Sequence, residues 1–172
     1  MKSILLIIFL TTTLLSNIND GVLLKQAVFF GRFERFINWP QEQNKRSPFV
    51  IGIIGDCPFK DKLISIYSNK TFANRPIEIK HINTLEEIQN CHILYIAPLE
   101  NFTLEEILST AKEKGVFLMS YHEGWGERGV HLNYYLSRSN RLKFELNPYT
   151  SKRDKIKIDL KLLRLSKVVG RP

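Results

Sequence analysis

The sequence has few of the residues on which most metal and catalytic sites depend. Only two of its 172 residues are cysteine and four are histidine, and none of them has zinc-site spacing. The chain also lacks the G-x-G-x-x-G fingerprint of dinucleotide binding, the Gly-Lys-Ser/Thr of a P-loop and the G-x-S-x-G elbow of hydrolases. We therefore expect no cofactor, no metal ion and no catalytic residue. An enzyme of unknown reaction, with Glu123 and Glu127 as paired carboxylates, is the least favoured alternative.

A hydrophobic run long enough to cross a membrane is also missing. Met1 and Lys2 precede a mostly apolar stretch from Ile4 to Leu15, which is typical of a secretory signal peptide and shorter than a membrane span. We predict a signal peptide over residues 1–16, a mature chain that begins near Asn17 and a periplasmic location. An uncleaved N-terminal anchor is the alternative.

Acidic residues are fewer than basic ones, 17 against 25, and the formal net charge is +8. The cations are scattered, and in the one dense run, Ser151 to Lys161, they alternate with apolar residues that we expect to face a core. A solvated lysine-rich surface is favoured over an anionic membrane surface or an acidic partner. Because an exported protein is separated from nucleic acid, we expect no nucleic-acid partner.

Hydrophobic periodicity predicts alternating helices and strands. Helices are predicted at Gly21–Pro40, Pro58–Asn69, Thr84–Asn90 and Thr103–Gly115, and strands at Pro48–Asp56, Arg75–Ile82, His92–Pro98 and Val116–Tyr121. Thr84 with Glu87, and Thr103 with Glu106, have the spacing of a capping box. This alternation is typical of βαβ units and a parallel sheet.

The pattern changes towards the C-terminus. Val130 to Asn147 predicts two strands around a turn at Ser137 to Asn140, and Lys155 to Gly170 begins with alternation and ends with a helical run. We therefore predict one α/β domain over residues 21–170, a largely parallel sheet flanked by helices with an antiparallel edge hairpin. Gln41 to Ser47 is the only apparent linker.

Seven segments, in this order, resemble the YfiR family. They read RFERFINWP, FVIGIIGDCPF, RPIEI, CHILYI, HEGWGERGVHLNYYL, RLKFELN and KIKIDLKLLRL. The resemblance implies a periplasmic, non-enzymatic regulator that binds and restrains the periplasmic sensor part of a membrane signalling protein of the diguanylate cyclase type. The alternative is a periplasmic small-molecule-sensing module that acts with a histidine kinase or another receptor. A second copy of the chain is a further candidate partner.

The stretch YHEGWGERG, residues 121–129, is the first candidate for partner binding. It follows the fourth predicted strand, at the carboxyl edge of the sheet where open α/β folds bind ligands. Gly124, Gly126 and Gly129 permit unusual backbone angles. The candidate residues are His122, Glu123, Trp125 and Arg128. Trp125 is either a partner-facing anchor or a cap on the core, and Arg128 pairs either with a partner carboxylate or with Glu123.

The aromatic stripe of the first predicted helix is the second candidate. Its spacing of three to four residues is typical of core packing, and its outward members are expected to reach a partner. The residues proposed for that role are Phe33, Phe36 and Trp39.

The two cysteines are expected to remain free thiols. Cys57 follows the first predicted strand and Cys91 precedes the third, so parallel strands place them at opposite ends of the sheet, roughly 20 Å apart. We predict a buried Cys91 and a Cys57 near the surface. In the YfiR resemblance, cysteines that pair in some relatives have no clear match here beyond Cys91, so redox control is not expected.

Overall fold

Eight of ten strands form one large sheet in the computed structural model, which describes residues 21–171. The predicted signal peptide, its cleavage site near Asn17 and the N-terminal anchor alternative lie outside these residues. The strands are, in chain order, β1 (Ile37–Asn38), β2 (Phe49–Ile54), β3 (Thr71–Phe72), β4 (Arg75–His81), β5 (Ile93–Ile96), β6 (Phe117–Ser120), β7 (Leu132–Leu136), β8 (Leu142–Leu146), β9 (Lys157–Ile158) and β10 (Lys167–Val168).

Helices connect most of these strands and cover both faces of the sheet. They are α1 (residues 21–33), α2 (Gln41–Lys45), α3 (Phe59–Tyr67), α4 (Leu104–Ala111), α5 (Trp125–Arg128), α6 (Pro148–Arg153) and α7 (Leu160–Leu165), with 3₁₀ turns at Glu34–Phe36 and Leu85–Asn90. Both predicted capping boxes are present, at Thr84 with Glu87 and at Thr103 with Glu106. The first of them opens a 3₁₀ helix.

The strand order in the large sheet is β10-β8-β7-β6-β5-β2-β4-β3. The five central strands from β7 to β4 run parallel, whereas β8 pairs antiparallel with β7 and β3 antiparallel with β4. The predicted class, an α/β domain with a largely parallel sheet and an antiparallel hairpin, is confirmed. The hairpin lies one strand in from the edge, because β10 pairs with β8 in parallel.

Strand β2 is buried along its whole length and separates two hydrophobic cores. Phe49, Ile51 and Ile53 belong to the first core, which lies under α1 and α3, whereas Val50 and Ile54 belong to the second, under α4. Since successive residues of a strand point to opposite faces, the continuous apolar run of β2 supplies both cores at once.

Helix α1 ends earlier than its aromatic spacing predicts. The prediction extends to Pro40, but the helix stops at residue 33 and Ile37–Asn38 form β1, which pairs antiparallel with β9. The backbone N–H of Asp159 also donates to the carbonyl of Phe36 at 2.9 Å. The pairing of Ile37 with Ile158, 121 residues further along the chain, thus replaces the last helical turns.

The predicted linker from Gln41 to Ser47 is part of the packed domain. It contains α2, whose Gln43 side chain is buried and donates from Nε2 to the carbonyl of Lys114 at 2.7 Å. Arg46 donates to the carbonyls of Gln89 and Asn90, each at 2.9 Å. The segment therefore closes the amino end of the sheet.

Two buried histidines join neighbouring strands in the same way. His92 lies before β5 and His131 before β7, and each accepts a backbone N–H at Nδ1, from Val50 at 3.0 Å and from Leu118 at 2.8 Å. Burial lowers the pKa of His92 to about 4 and also lowers the pKa of His131. Both rings are therefore neutral at neutral pH, with the proton on Nε2.

Asp154 completes the surroundings of His131. Its Oδ2 lies 3.1 Å from His131 Nε2, and Arg153 donates from Nε to Oδ1 at 2.8 Å. Burial alone would raise the pKa of Asp154, but these bonds outweigh burial and bring the pKa to about 2. Because both ring nitrogens of His131 are occupied, the pair is structural and has no free position for a general base.

The cysteines lie on opposite faces of the sheet. Cys91 is buried in the second core with its Sγ beside Gly52, whereas the half-buried Cys57 packs against the first core. Strands β2 and β5 are parallel, which is the arrangement expected with two free thiols. The predicted positions are therefore confirmed, and the redox state stays a prediction.

Candidate functional site

The stretch from residue 121 to 129 folds into a single helical turn, α5, at the carboxyl end of β6. The turn is closed by the N–H of Arg128, which donates to the carbonyl of Gly124 at 3.2 Å, and by that of Val130, which donates to Trp125 at 3.0 Å. Gly129 ends it with φ of 123°, a backbone angle that other residues rarely adopt. The segment is therefore a defined element of the fold.

Gly126 allows α5 to lie directly against β8 and β10. A Cβ atom at this position would be 2.7 Å from Glu145 Oε2, so that something would have to shift, and 3.1 Å from Val169 Cγ2, which is a tight contact. The Asn147 side chain fixes the turn by donating to the carbonyl of Gly126 at 2.9 Å. Close approach therefore favours glycine at this position, and the unusual backbone angle expected for Gly126 is absent.

Asn133 of β7 holds the start of the loop. Its Oδ1 accepts from the Ser120 hydroxyl at 2.6 Å and from the backbone N–H of His122 at 3.1 Å. Its Nδ2 donates to the carbonyl of His122 at 2.8 Å and to Glu145 Oε2 at 3.2 Å. One buried amide therefore connects three neighbouring strands to the loop.

Glu145 extends this network to the edge strand. Its carboxylate is nearly buried and accepts from Lys167 Nζ at 2.9 Å. The hydrogen bond and the charge of Glu145 raise the pKa of Lys167. The chain of contacts runs from Ser120 through Asn133 and Glu145 to Lys167, across β6, β7, β8 and β10.

A cleft of about 670 Å³ opens beside this network, where β7 parts from β6. Strand β6 pairs only with Leu132 and Asn133, whereas β7 continues to Leu136 with β8 alone. The cleft is lined by Tyr121, Glu123, Gly124, Glu127, Asn133, Tyr134, Tyr135, Leu136, Glu145 and Lys167. Three carboxylates against one ammonium group make its wall acidic, in a protein whose net charge is positive.

The four candidate residues of the loop point in two directions. His122 stacks on Trp125 with ring centroids 4.2 Å apart, and Trp125 is half-buried against the second core. Burial lowers the pKa of His122. Arg128 forms an ion pair with Glu105 of α4, which also packs on the second core. Glu105 is neither of the two partners expected for Arg128. Only Glu123 faces the cleft.

The three candidates from the aromatic stripe lie on the opposite face of the sheet. Phe33 and Trp39 are buried in the first core, at 3% and 6% exposure, so the expectation that they reach a partner is wrong. Phe33 packs edge-on to Phe144, and Trp39 Nε1 donates to the carbonyl of His92 at 3.0 Å. Phe36 is partly buried. These aromatics stabilise α1 and β1 on the sheet.

Four residues that shape the cleft were not among the predicted site residues: Tyr121, Asn133, Glu145 and Lys167. Two of them carried a signal. Asn133 and Glu145 interrupt apolar strand segments, LNYYL and KFELN, at positions that pair with each other across the hairpin. A polar residue at such a position is expected to be hydrogen-bonded when buried.

No group of three or more histidine, cysteine or acidic residues within residues 21–171 is arranged to hold a metal ion. In the same part of the chain no helix has the length and apolar character needed to cross a bilayer. The described site therefore consists of a polar network, a cleft and an adjoining aromatic turn.

Fold and site together define an α/β module with a shaped recess at the carboxyl end of its parallel strands, a place where such folds bind other molecules. The chain belongs to the YfiR/HmsC-like family, whose profile matches residues 25–167. This confirms the resemblance drawn from the sequence segments. The family is regulatory and non-catalytic, is periplasmic, and generally interacts with the periplasmic domain of a membrane signalling protein.

Other comparisons add little. No curated protein sequence matches the chain. A solved structure described as the ABC domain in complex with L-Trp from Streptococcus pneumonia is 9% identical, with a TM-score of 0.49. The alignment covers 70% of this chain and 56% of that one, so the present chain spans little more than half of its length.

Proposed function

We propose that this protein is a periplasmic, non-enzymatic regulator that binds and restrains the periplasmic sensor part of a membrane signalling protein of the diguanylate cyclase type. The observation that carries the proposal is membership of the YfiR/HmsC-like family over residues 25–167, which leaves little of the described chain outside the match. The N-terminal apolar stretch supports export.

The proposed contact surface is the loop face, formed by His122, Trp125 and Arg128 with Glu105 of α4. An aromatic stack beside an exposed ion pair resembles the centre of many binding surfaces, where tryptophan and arginine contribute most. The turn is closed by backbone hydrogen bonds, so little conformational entropy is lost when a partner binds.

Affinity purification from solubilised membranes tests the proposal. The tagged, exported protein is expected to recover an inner-membrane signalling protein. The amount recovered with Trp125→Ala should be lower by about tenfold or more. Leu24→Ser with Val28→Ser, on the exposed side of α1, is the matched control and should bind normally. Recovery of no membrane signalling protein by the wild type contradicts the proposed function.

Export is tested separately. We expect N-terminal sequencing of the exported protein to begin near Asn17. An intact Met1 in the membrane fraction would show that the segment is an anchor.

A second candidate function, small-molecule sensing with a histidine kinase or another receptor, is favoured by the cleft. Its carboxylates, Glu123, Glu127 and Glu145, and its tyrosines suit a ligand with an ammonium group and an aromatic or apolar body. Native mass spectrometry of protein taken directly from the periplasm should then show a bound small molecule. Glu123→Gln with Glu127→Gln should remove it, and Lys112→Gln with Lys114→Gln should not.

A further inference from the structure

The three most exposed large apolar side chains within residues 21–171 lie close together in the sequence. Leu160, Leu165 and Val168 are 68%, 74% and 53% exposed, and no other large apolar side chain in the described chain exceeds half. All three belong to α7 and β10. An exposure of this size, concentrated in one segment, is unusual for a surface that only meets water.

The same segment holds the densest positive charge of the chain. Seven of the residues from 152 to 167 are lysine or arginine and two are aspartate. Arg153 is paired with the buried Asp154, and Lys167 with Glu145. The other five cations form no ion pair with any residue of 21–171, and Asp159 caps α7 by accepting from the N–H of Lys161. Those five are Lys152, Lys155, Lys157, Lys161 and Arg164.

Helix α7 is oriented by a single buried residue. Leu162 is 2% exposed and inserts into the first core. At 100° per residue, Leu160 and Arg164 lie opposite Leu162, Lys161 lies about 100° from it and Leu165 about 60° from it, and all four side chains are exposed. We call these four residues, with Lys152, Lys155 and Lys157, the C-terminal basic face.

A groove of about 590 Å³ adjoins this face. Its apolar part is formed by Pro148, Ile156, Ile158 and Leu163, and its lysines are Lys152, Lys155 and Lys157. Apolar surface with cations at its border is therefore a feature of the whole C-terminal segment and extends beyond α7.

We propose that the C-terminal basic face docks on the surface of an anionic phospholipid bilayer. Leucines that alternate with lysine and arginine suit this occupant, because apolar tips enter the headgroup region while the long cationic side chains reach phosphate. The centre of a protein–protein interface is depleted of lysine, which makes a protein occupant a poorer fit to the charge. This inference goes beyond the proposed regulatory function and does not depend on it.

Two exposed leucines on a six-residue helix predict weak and reversible binding with a strong electrostatic contribution. For a regulator of a membrane protein, such docking confines the search for its partner to the plane of the bilayer and raises the effective concentration of both.

Vesicle flotation with the purified exported protein tests the proposal. The protein should float with vesicles of phosphatidylcholine containing about a third phosphatidylglycerol at roughly 0.1 M salt, but not at about 0.5 M salt and not with pure phosphatidylcholine. Lys161→Gln with Arg164→Gln should lower the partition coefficient about 30-fold. Leu160→Ser with Leu165→Ser should lower it about tenfold or more. All four side chains are exposed, so these variants should remain folded.

Matched controls remove the same charge or the same number of apolar groups elsewhere. Lys112→Gln with Lys114→Gln, and Leu24→Ser with Val28→Ser, should bind vesicles as the wild type does. Equal losses in controls and test variants would overturn the proposal, as would equal flotation with both kinds of vesicle. Absence of vesicle binding, together with loss of the membrane signalling partner in Lys161→Gln with Arg164→Gln, would assign the face to a protein interface instead.

Discussion

Single buried polar residues maintain the geometry of the candidate site. Asn133 has four hydrogen bonds, to Ser120, to both backbone groups of His122 and to Glu145, and it is 1% exposed. A shorter apolar side chain at this position would remove the Asn133 partner of the Ser120 hydroxyl and of both backbone groups of His122, in a place that water reaches poorly, and would leave Glu145 only its bond from Lys167.

We therefore expect Asn133→Ala to lower the free energy of unfolding by about 2–4 kcal/mol. Urea denaturation followed by circular dichroism measures this. Asn69→Ala, at an exposed position, is the control and should change stability by less than about 0.5 kcal/mol. Equal effects of the two substitutions would mean that the network around Asn133 contributes no net stability.

Stability is expected to fall as the pH decreases from about 6.5 towards 4. The folded-state pKa of His92 is about 4, below the usual value of 6.5, so in this window the unfolded chain binds a proton that the folded chain does not. Protonation therefore favours unfolding, by on the order of 3 kcal/mol for His92 at the lower end. His131 shifts in the same direction. The contribution of Asp154 is lost as the pH falls from about 3.8 to its folded-state pKa of about 2, which is below this window.

Urea denaturation at several pH values between 7.5 and 4.5 checks the histidine prediction. His92→Asn keeps an acceptor near the N–H of Val50 but cannot titrate, so it should flatten the pH dependence. His81→Asn, at an exposed position, should leave the slope as in the wild type. A slope that is unchanged in His92→Asn would contradict the assignment.

At the scale of secondary structure, α5 contributes both to the stability of the domain and to the proposed contact surface. Trp125 is half-buried against the second core and stacked on His122. We expect Trp125→Ala to lower the free energy of unfolding by about 1–2 kcal/mol, because only part of the indole is buried. The domain should remain folded. Thermal unfolding checks the cost. Loss of the folded state would show that the indole mainly caps the core.

Elements whose residues are determined locally were predicted well. The apolar run of β2 and the capping box of α4 each carry their signal within a few neighbouring residues, and both elements appear where expected. The end of α1 was not predicted correctly, because Ile37 and Asn38 become a strand only by pairing with Ile158 and Lys157. Periodicity within one segment contains no information about such a partner.

At the scale of the whole molecule, the sheet is a barrier between the two cysteines. Cys57 and Cys91 lie against different cores, on opposite faces. Alkylation of the unfolded, unreduced protein should therefore add two alkyl groups by mass spectrometry. No added group would mean that a disulfide exists and that the arrangement of β2 and β5 is different from the one described.

The fold class followed from the order of apolar segments, since that order also determines the topology, whereas the family followed from the resemblance of seven sequence segments. The candidate site was predicted less well from the sequence, because it is formed by contacts between distant parts of the chain. The cleft depends on β6 ending at Ser120 while β7 continues, and its lysine comes from residue 167, far along the chain. Trp125 is separated from the aromatic residues of α1 because α5 and α1 cover opposite faces of the sheet. None of these relations is visible in a local pattern.

The position of β9 and β10 in the chain has a consequence for the order of folding. Synthesis proceeds from the amino end, and the carbonyl of Phe36 and the Oε1 atom of Glu145 obtain their partners only from residues 159 and 167. Until those residues emerge, a long nascent segment holds two incomplete edges, one beside β1 and one beside β8. A chain interrupted before β9 would expose both edges to other chains, so the domain reaches a form resistant to aggregation only when its last strands arrive.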